Sequence, residues 1–284
     1  MCQLFALDSA MPTSVCFPLS GFVARGGATA DHVDGWGVAF HDDEGGCRRF
    51  VDAGRASDSA LARHLCRHPI PARHIVAHVR RATQGAVAAV NCHPFRREWR
   101  GRSWTFCHNG DLKNFHPALD AAFAPVGATD SERAFCWLMQ QLQHRFASEP
   151  APTWQALAPV VAELAGEIAR HGVFNFLLCD GRAICAHAST RLHWLQRRAP
   201  FGRVRLVDRD AEIDLALTHA GSDRAVLMAT EPLTLGEAWV AFERGEMRVF
   251  SGGQSIWHGC TQSVPATAAA EATETAVIVE AAAA

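Results

Sequence analysis

The chain has 284 residues, 49% of them hydrophobic and 20% charged, which is enough material for one large domain with a substantial core. With 27 Lys+Arg against 29 Asp+Glu the net charge is -2. That balance excludes a basic, phosphate-tracking surface, so no nucleic-acid partner is expected. The start, Met1-Cys2-Gln3-Leu4-Phe5-Ala6-Leu7-Asp8, has no basic flank, and Asp8 ends its apolar run. It predicts a buried strand over Cys2 to Asp8, not a signal peptide. No stretch approaches the length of a membrane span. The 10 cysteines lack the spacing of a small secreted disulfide framework, so a reduced, cytoplasmic setting is expected.

Pro12 to Gly27 reads as a loop or short helix. Trp36 to His41 and Arg48 to Val51 predict two strands around a Gly45-Gly46 turn. Ser57 to Arg67 has helical periodicity, and His74 to Val79 and Ser103 to His108 read as strands joined by a polar, proline-containing link. Two helices follow, from about Thr129 to Phe146 and from about Thr153 to His171. Their apolar residues fall at helical spacing, as in Phe135, Leu138, Met139 and Leu142, then Leu157, Val161, Leu164 and Ile168. The rest predicts strands at Val173 to Cys179, Ile184 to His187, Leu192 to Gln196, Ile213 to Leu217, Ala225 to Ala229, Ala238 to Phe242 and Met247 to Phe250. Strands, two helices, then strands imply two sheets covered by helices in a single domain over 2–260. After Cys260 the Ala/Thr/Glu-rich stretch 261–284 is expected to be a disordered tail.

Several residues could carry chemistry. Cys2 is on position alone a small buried strand residue. If Met1 is removed, Cys2 holds both a thiol and a free α-amine. Their ordinary pKa values, about 8.5 and about 7.7–8.0, let the amine serve as the base for the thiol. Asn109-Gly110 is the strongest short signal for a type I′ hairpin turn. It could equally supply an oxyanion hole from the Asn109 amide and the Gly110 N–H. Arg80 and Arg81 close a strand, and an arginine there can clamp a carboxylate through two parallel hydrogen bonds. Thr129 and Glu132 have capping-box spacing. Asp130 is then a first-turn acid favoured by the helix dipole, or the partner of a substrate ammonium. Cys92-His93 and Cys107-His108 have neither Cys-x-x-Cys nor His-x-x-x-His spacing, so they read as core and loop residues and no metal site is expected. Asp34-Gly35-Trp36-Gly37 lacks the ending of a phosphate loop and reads as a turn bordering a pocket.

The order of these elements carries more than any one of them. Met1-Cys2, His78-x-Arg80-x-x-Thr83, Asn91-x-His93-Pro94, His108-Asn109-Gly110 and Thr129-Asp130-Ser131-Glu132 occur in that sequence. Together they resemble the class II, N-terminal-nucleophile glutamine amidotransferases, and among these the small stand-alone bacterial members of the YafJ type. The likeness extends through Arg25-Gly26-Gly27, Phe135-Cys136-Trp137, Gly172-Val173-Phe174-Asn175 and Arg198-Ala199-Pro200-Phe201-Gly202, nearly the whole chain to about Phe250.

The resemblance implies an α+β fold, a four-layer α/β/β/α sandwich of two antiparallel sheets. It implies Cys2 as nucleophile with its α-amine as base, and Asn109 and Gly110 as oxyanion hole. It places Arg80 where the family binds the glutamine carboxylate and Asp130 where it binds the ammonium. Thr83 and His93 match secondary pocket positions. The chemistry needs no metal or organic cofactor. Larger family members read Arg-Trp-Ala-Thr-His-Gly where this chain has Arg81 and Gln84 in place of Trp and His. Two sheets and their helices are expected to use up the residues before the tail, so no synthase domain is expected within these 284 residues. Three readings follow. The first is a glutaminase serving an unidentified synthase partner. The second is a γ-glutamyl hydrolase acting on a peptide or thiol conjugate, and the third a silent glutamine sensor. Release of ammonia, release of amine, or tight binding without turnover separates them.

Overall fold

The computed structural model describes residues 2–261. Its architecture follows from strand alternation. In the strand Gln3–Thr13, Phe5 and Leu7 face one side, where they pack with Leu19 and Phe22 of helix α1 (Cys16–Ala24) and Leu65 of helix α2 (Ala60–Arg67). Leu4 and Ala6 face the other, against Cys107, Leu177 and Ile184. A strand that is apolar on both faces is buried on both, which is why its sequence runs without polar interruption as far as Asp8.

The first sheet has seven antiparallel strands in spatial order Val240–Ala241, His193–Arg198, Arg224–Ala229, Gln3–Thr13, Ala72–Val79, Trp36–His41 and Cys47–Asp52. The second has six, in order Ser255–Cys260, Glu246–Phe250, Ile184–Ala188, Gly172–Cys179, Arg102–Leu112 and Phe95–Trp99. Its outer face carries helices α3 (Asp130–Arg145) and α4 (Trp154–Ala169), packed through Phe135, Leu138, Leu157 and Val161 onto Phe106, Phe174 and Phe176. A small third sheet joins Glu212–Asp214, Arg203–Leu206 and Thr234–Leu235. The result is the expected four-layer α/β/β/α sandwich. Small side chains such as Ala6, Ala39 and Ala186 occupy the layer between the two large sheets.

Some expected elements change. The link after Val79 contains the strand Phe95–Trp99, whose charged Arg96, Arg97 and Glu98 hid it from a hydrophobicity reading. Ile213 to Leu217 divides into Glu212–Asp214 and a 3-10 turn, Leu215–Leu217, and Ala238 to Phe242 shortens to Val240–Ala241. The expected tail lies outside the described residues except for Thr261. No described helix is long and apolar enough to cross a membrane, and all ten cysteines are free.

Buried histidines give the fold an acid limit. Burial pushes His41 and His78 down to about 3 and His187 down to about 4, from ordinary values near 6.5. The folded chain keeps them neutral while the unfolded chain takes up protons below 6.5. Stability is therefore lost as pH falls from about 6.5 toward 4, by up to ~1.4 kcal/mol per group and pH unit. Three such groups can consume much of a net stability of about 5–15 kcal/mol. The urea midpoint at pH 5 is expected well below that at pH 7; equal midpoints would contradict this.

Candidate active site

Cys2 precedes the strand Gln3–Thr13, whose Gln3 pairs with Val79. The antiparallel register therefore sets Cys2 beside the residues that follow Val79. Its Sγ lies 3.3 Å from the Arg81 N–H, from which it accepts, and 3.3 Å from the Arg81 carbonyl oxygen, to which it donates. Burial raises the thiol pKa; the Arg81 N–H and the Arg80 charge lower it, and Asp130 raises it. The resting group is a thiol that needs a base before it can attack.

Asn109-Gly110 does not form a turn. It lies within the strand Arg102–Leu112, paired with Asn175 and Phe174 of the strand Gly172–Cys179, and this ladder runs on to Leu112 opposite Gly172. The hairpin reading is overturned because a long partner strand outcompetes the local turn preference. The donors are freed another way. Pairing with Phe95–Trp99 stops at Phe106, so the far edge of residues 107–112 is open. Leu112 donates its N–H across that edge to Asp130 Oδ2 at 2.8 Å. Strand groups alternate in direction, so the Gly110 N–H points the same way. No side chain could stand at Gly110: a Cβ there would sit 1.7 Å from the Val173 carbonyl oxygen and 2.6 Å from His108 Nε2.

The Asn109 side chain is buried at 1% exposure. Its Nδ2 reaches Thr230 Oγ1 at 3.5 Å, and its Oδ1 has no hydrogen-bond partner. Thr230 Oγ1 also accepts the Leu4 N–H at 2.9 Å, and Thr230 N–H donates to Leu4 O at 3.1 Å. One hydroxyl thus ties the Asn109 amide to the start of the chain. Below it, Asn175 Nδ2 donates to the Asn109 carbonyl at 2.9 Å, while its Oδ1 accepts from Ser189 and Thr190. His78 Nε2 meets the His108 carbonyl at 3.2 Å, joining the two sheets immediately before Asn109.

Arg80 is buried, and both of its Nη atoms are engaged. Nη1 bonds the carbonyls of Asp34 and Ala86, and Nη2 those of Gln84 and Gly85. It organises the loop that follows it. Asp34 Oδ2 accepts the Ala82 N–H at 2.8 Å, giving the glycine-rich turn at residues 34–37 a role in holding this loop. Gln84, one of the two departures from the family pattern, donates to Asp111 Oδ1 at 2.6 Å and latches the loop onto the Asn109-Gly110 strand.

Asp130 is the first residue of α3. Thr129 caps the helix by accepting the Glu132 N–H at 3.2 Å. Glu132 does not complete a capping box: its carboxylate accepts from the Val126 and Gly127 N–H groups and from Arg97 instead. Asp130 Oδ2 is held by Leu112, and Oδ1 lies 3.3 Å from Ser131 Oγ.

The structure therefore gathers Cys2, Arg80, Asn109, Gly110 and Asp130 at one end of the sandwich. Thr83 is exposed on the loop after Arg80. His93 is buried, its ring 4.2 Å from His78 and 4.4 Å from Phe95, with neither nitrogen hydrogen-bonded. Thr230 was missed, having no local sequence pattern that marks it out, while His108, Ser131 and Asn175 stand in quoted motifs that gave them no role of their own. Among the described residues no group of three or more His, Cys, Asp or Glu side chains is placed to hold a metal ion. A separate cavity of about 480 Å³, lined in part by Met11, Phe17, Phe201 and Leu215, touches none of the five gathered residues.

A four-layer α/β/β/α sandwich of two antiparallel sheets, with a cysteine just ahead of a central strand, defines the class of protein. The family description "Glutamine amidotransferases class-II" matches residues 1–274, and the chain belongs to that family. It is 43% identical over 256 residues to the protein named "Putative glutamine amidotransferase YafJ" of Escherichia coli, covering 90% of this chain and 100% of that one. It is 38% identical to a "Putative glutamine amidotransferase" of Haemophilus influenzae, covering 90% of this chain and 86% of the relative. Among solved structures, a predicted glutamine amidotransferase from Pseudomonas aeruginosa aligns with a TM-score of 0.71 at 35% identity, over 90% of this chain and 100% of that one. Glutamine phosphoribosylpyrophosphate amidotransferase of Bacillus subtilis shares the fold, with a TM-score of 0.60 at 14% identity over 92% of this chain and 49% of that one.

Proposed function

We propose that this protein hydrolyses the side-chain amide of glutamine through Cys2. The observation that supports it most is the placement of the Cys2 thiol against the Arg81 backbone, under the opposed charges of Arg80 and Asp130. Removal of Met1 leaves the Cys2 α-amine to take the thiol proton. Sγ then bonds the amide carbon. The oxyanion accepts hydrogen bonds from the Gly110 N–H and the Asn109 Nδ2. The α-ammonium returns the proton to the amide nitrogen, the C–N bond breaks, and ammonia leaves a γ-glutamyl thioester. Water, deprotonated by the same amine, bonds the acyl carbon; the C–S bond breaks, the α-ammonium returns the proton to the departing Cys2 thiolate, and glutamate is released.

Asp130 Oδ1 receives the substrate ammonium. Arg80 receives the carboxylate, giving up some of its loop carbonyls to do so; Thr83 and His93 line the pocket as secondary positions. This couples substrate binding to the loop 84–86. No metal or organic cofactor enters the scheme. A partner synthase would receive the ammonia.

The test measures ammonia release from glutamine beside amine release from γ-glutamyl peptides. Ammonia release from glutamine is expected, with Asn109→Ala slower by about 100- to 1,000-fold. Amine release alone would transfer the function to γ-glutamyl conjugates. Tight glutamine binding with neither product would replace catalysis with sensing.

A further inference from the structure

His108 takes no part in the scheme above, yet it is fully buried beneath Gly110 and beside the helix that carries Asp130. Its Nε2 lies 2.9 Å from the Val173 carbonyl oxygen and its Nδ1 2.8 Å from Ser131 Oγ. A carbonyl oxygen only accepts, so Nε2 carries the hydrogen. Burial holds the imidazole below its ordinary value, with Asp130 and Asp111 pulling the other way. In the neutral ring Nδ1 is an acceptor, and the single Ser131 hydroxyl proton goes to it. That same hydroxyl stands 3.3 Å from Asp130 Oδ1. It has one proton and two candidate acceptors, and the imidazole holds the shorter contact.

We propose that His108 is a positioning residue for the substrate ammonium: it draws the Ser131 hydroxyl onto itself and so keeps Asp130 Oδ1 open as an acceptor. The other carboxylate oxygen is already committed to the Leu112 N–H, so Oδ1 is the one left for the substrate. His108 thereby links the two halves of the site. Nε2 braces the Val173 carbonyl against Gly110, and Nδ1 governs which acceptors Asp130 offers. This rests on the reading of Asp130 as the ammonium partner.

The experiment is a double-variant cycle in the Cys2→Ala background, with glutamine affinity read by calorimetry. His108→Phe fits a site already flanked by Phe174 at 5.1 Å and Phe106 at 6.4 Å. It releases the Ser131 hydroxyl to Asp130 and is expected to weaken glutamine roughly 5- to 10-fold, the scale of one competing hydrogen bond. Adding Ser131→Ala removes the competitor and is expected to restore affinity to within about 2-fold, while Ser131→Ala alone changes little. A purely structural role predicts the opposite, since the second substitution would only add damage. A double variant no tighter than His108→Phe overturns the inference. If His108→Phe does not fold, the ¹⁵N imidazole shifts of the unaltered protein decide: a hydrogen on Nε2 supports the inference, a hydrogen on Nδ1 overturns it. Ammonia release by the unaltered protein, measured alongside, separately tests the functional reading.

Discussion

Cys2→Ala is expected to leave no measurable ammonia release while the protein remains folded. Removing the nucleophile from a covalent catalyst costs on the order of a million-fold in rate, because the oxyanion donors and the substrate contacts then have no bond to assist. The fold should tolerate the change. Cys2 is half-buried ahead of the first strand, and its thiol contacts the backbone of Arg81. Loss of turnover with an unchanged urea midpoint therefore reports on chemistry. Cys2→Ser should retain only a small remnant, since a hydroxyl is much harder for an amine to deprotonate. Substantial turnover by the alanine variant would mean another group attacks.

Gly110→Ala carries the second large effect. The added Cβ would meet the Val173 carbonyl oxygen at 1.7 Å and His108 Nε2 at 2.6 Å, both firmly held. Val173 belongs to the strand paired along this edge, and His108 is fixed by Val173 and Ser131. Neither can yield without moving the ladder, so the Gly110 N–H must shift. A displacement of about 1 Å in a positioned donor is enough to lose ~100-fold in rate, and overpacking costs about 1–3 kcal/mol of stability. Activity and urea midpoint should fall together, unlike the Cys2 variant. Near-normal ammonia release by Gly110→Ala would remove this N–H from the oxyanion hole.

Much of this was legible in the sequence because it is written locally. The strand over residues 3–8, both helices over the second sheet and the Thr129 cap follow from periodicity and side-chain chemistry within a few residues. The five gathered site residues stand in motifs whose order survives in the chain. What escaped depends on distant partners. Asn109-Gly110 reads as a turn until the strand Gly172–Cys179 is placed beside it. Phe95–Trp99 is a strand only because Arg102–Leu112 pairs with it. Thr230 meets Leu4 and Asn109 across most of the chain, and His108 meets Ser131 only after α3 docks. The saturation of Arg80 by loop carbonyls was equally invisible, since it arises from how residues 84–86 fold back.

The reading of Cys2 as an N-terminal nucleophile is tested most directly by intact mass and ammonia release on the same preparations, with Met1 either removed or retained behind a short extension. Active protein is expected to lack Met1, quenching with glutamine to trap one γ-glutamyl group on Cys2, and the extended protein to be folded and inactive. Full turnover by protein that retains Met1 would contradict that reading.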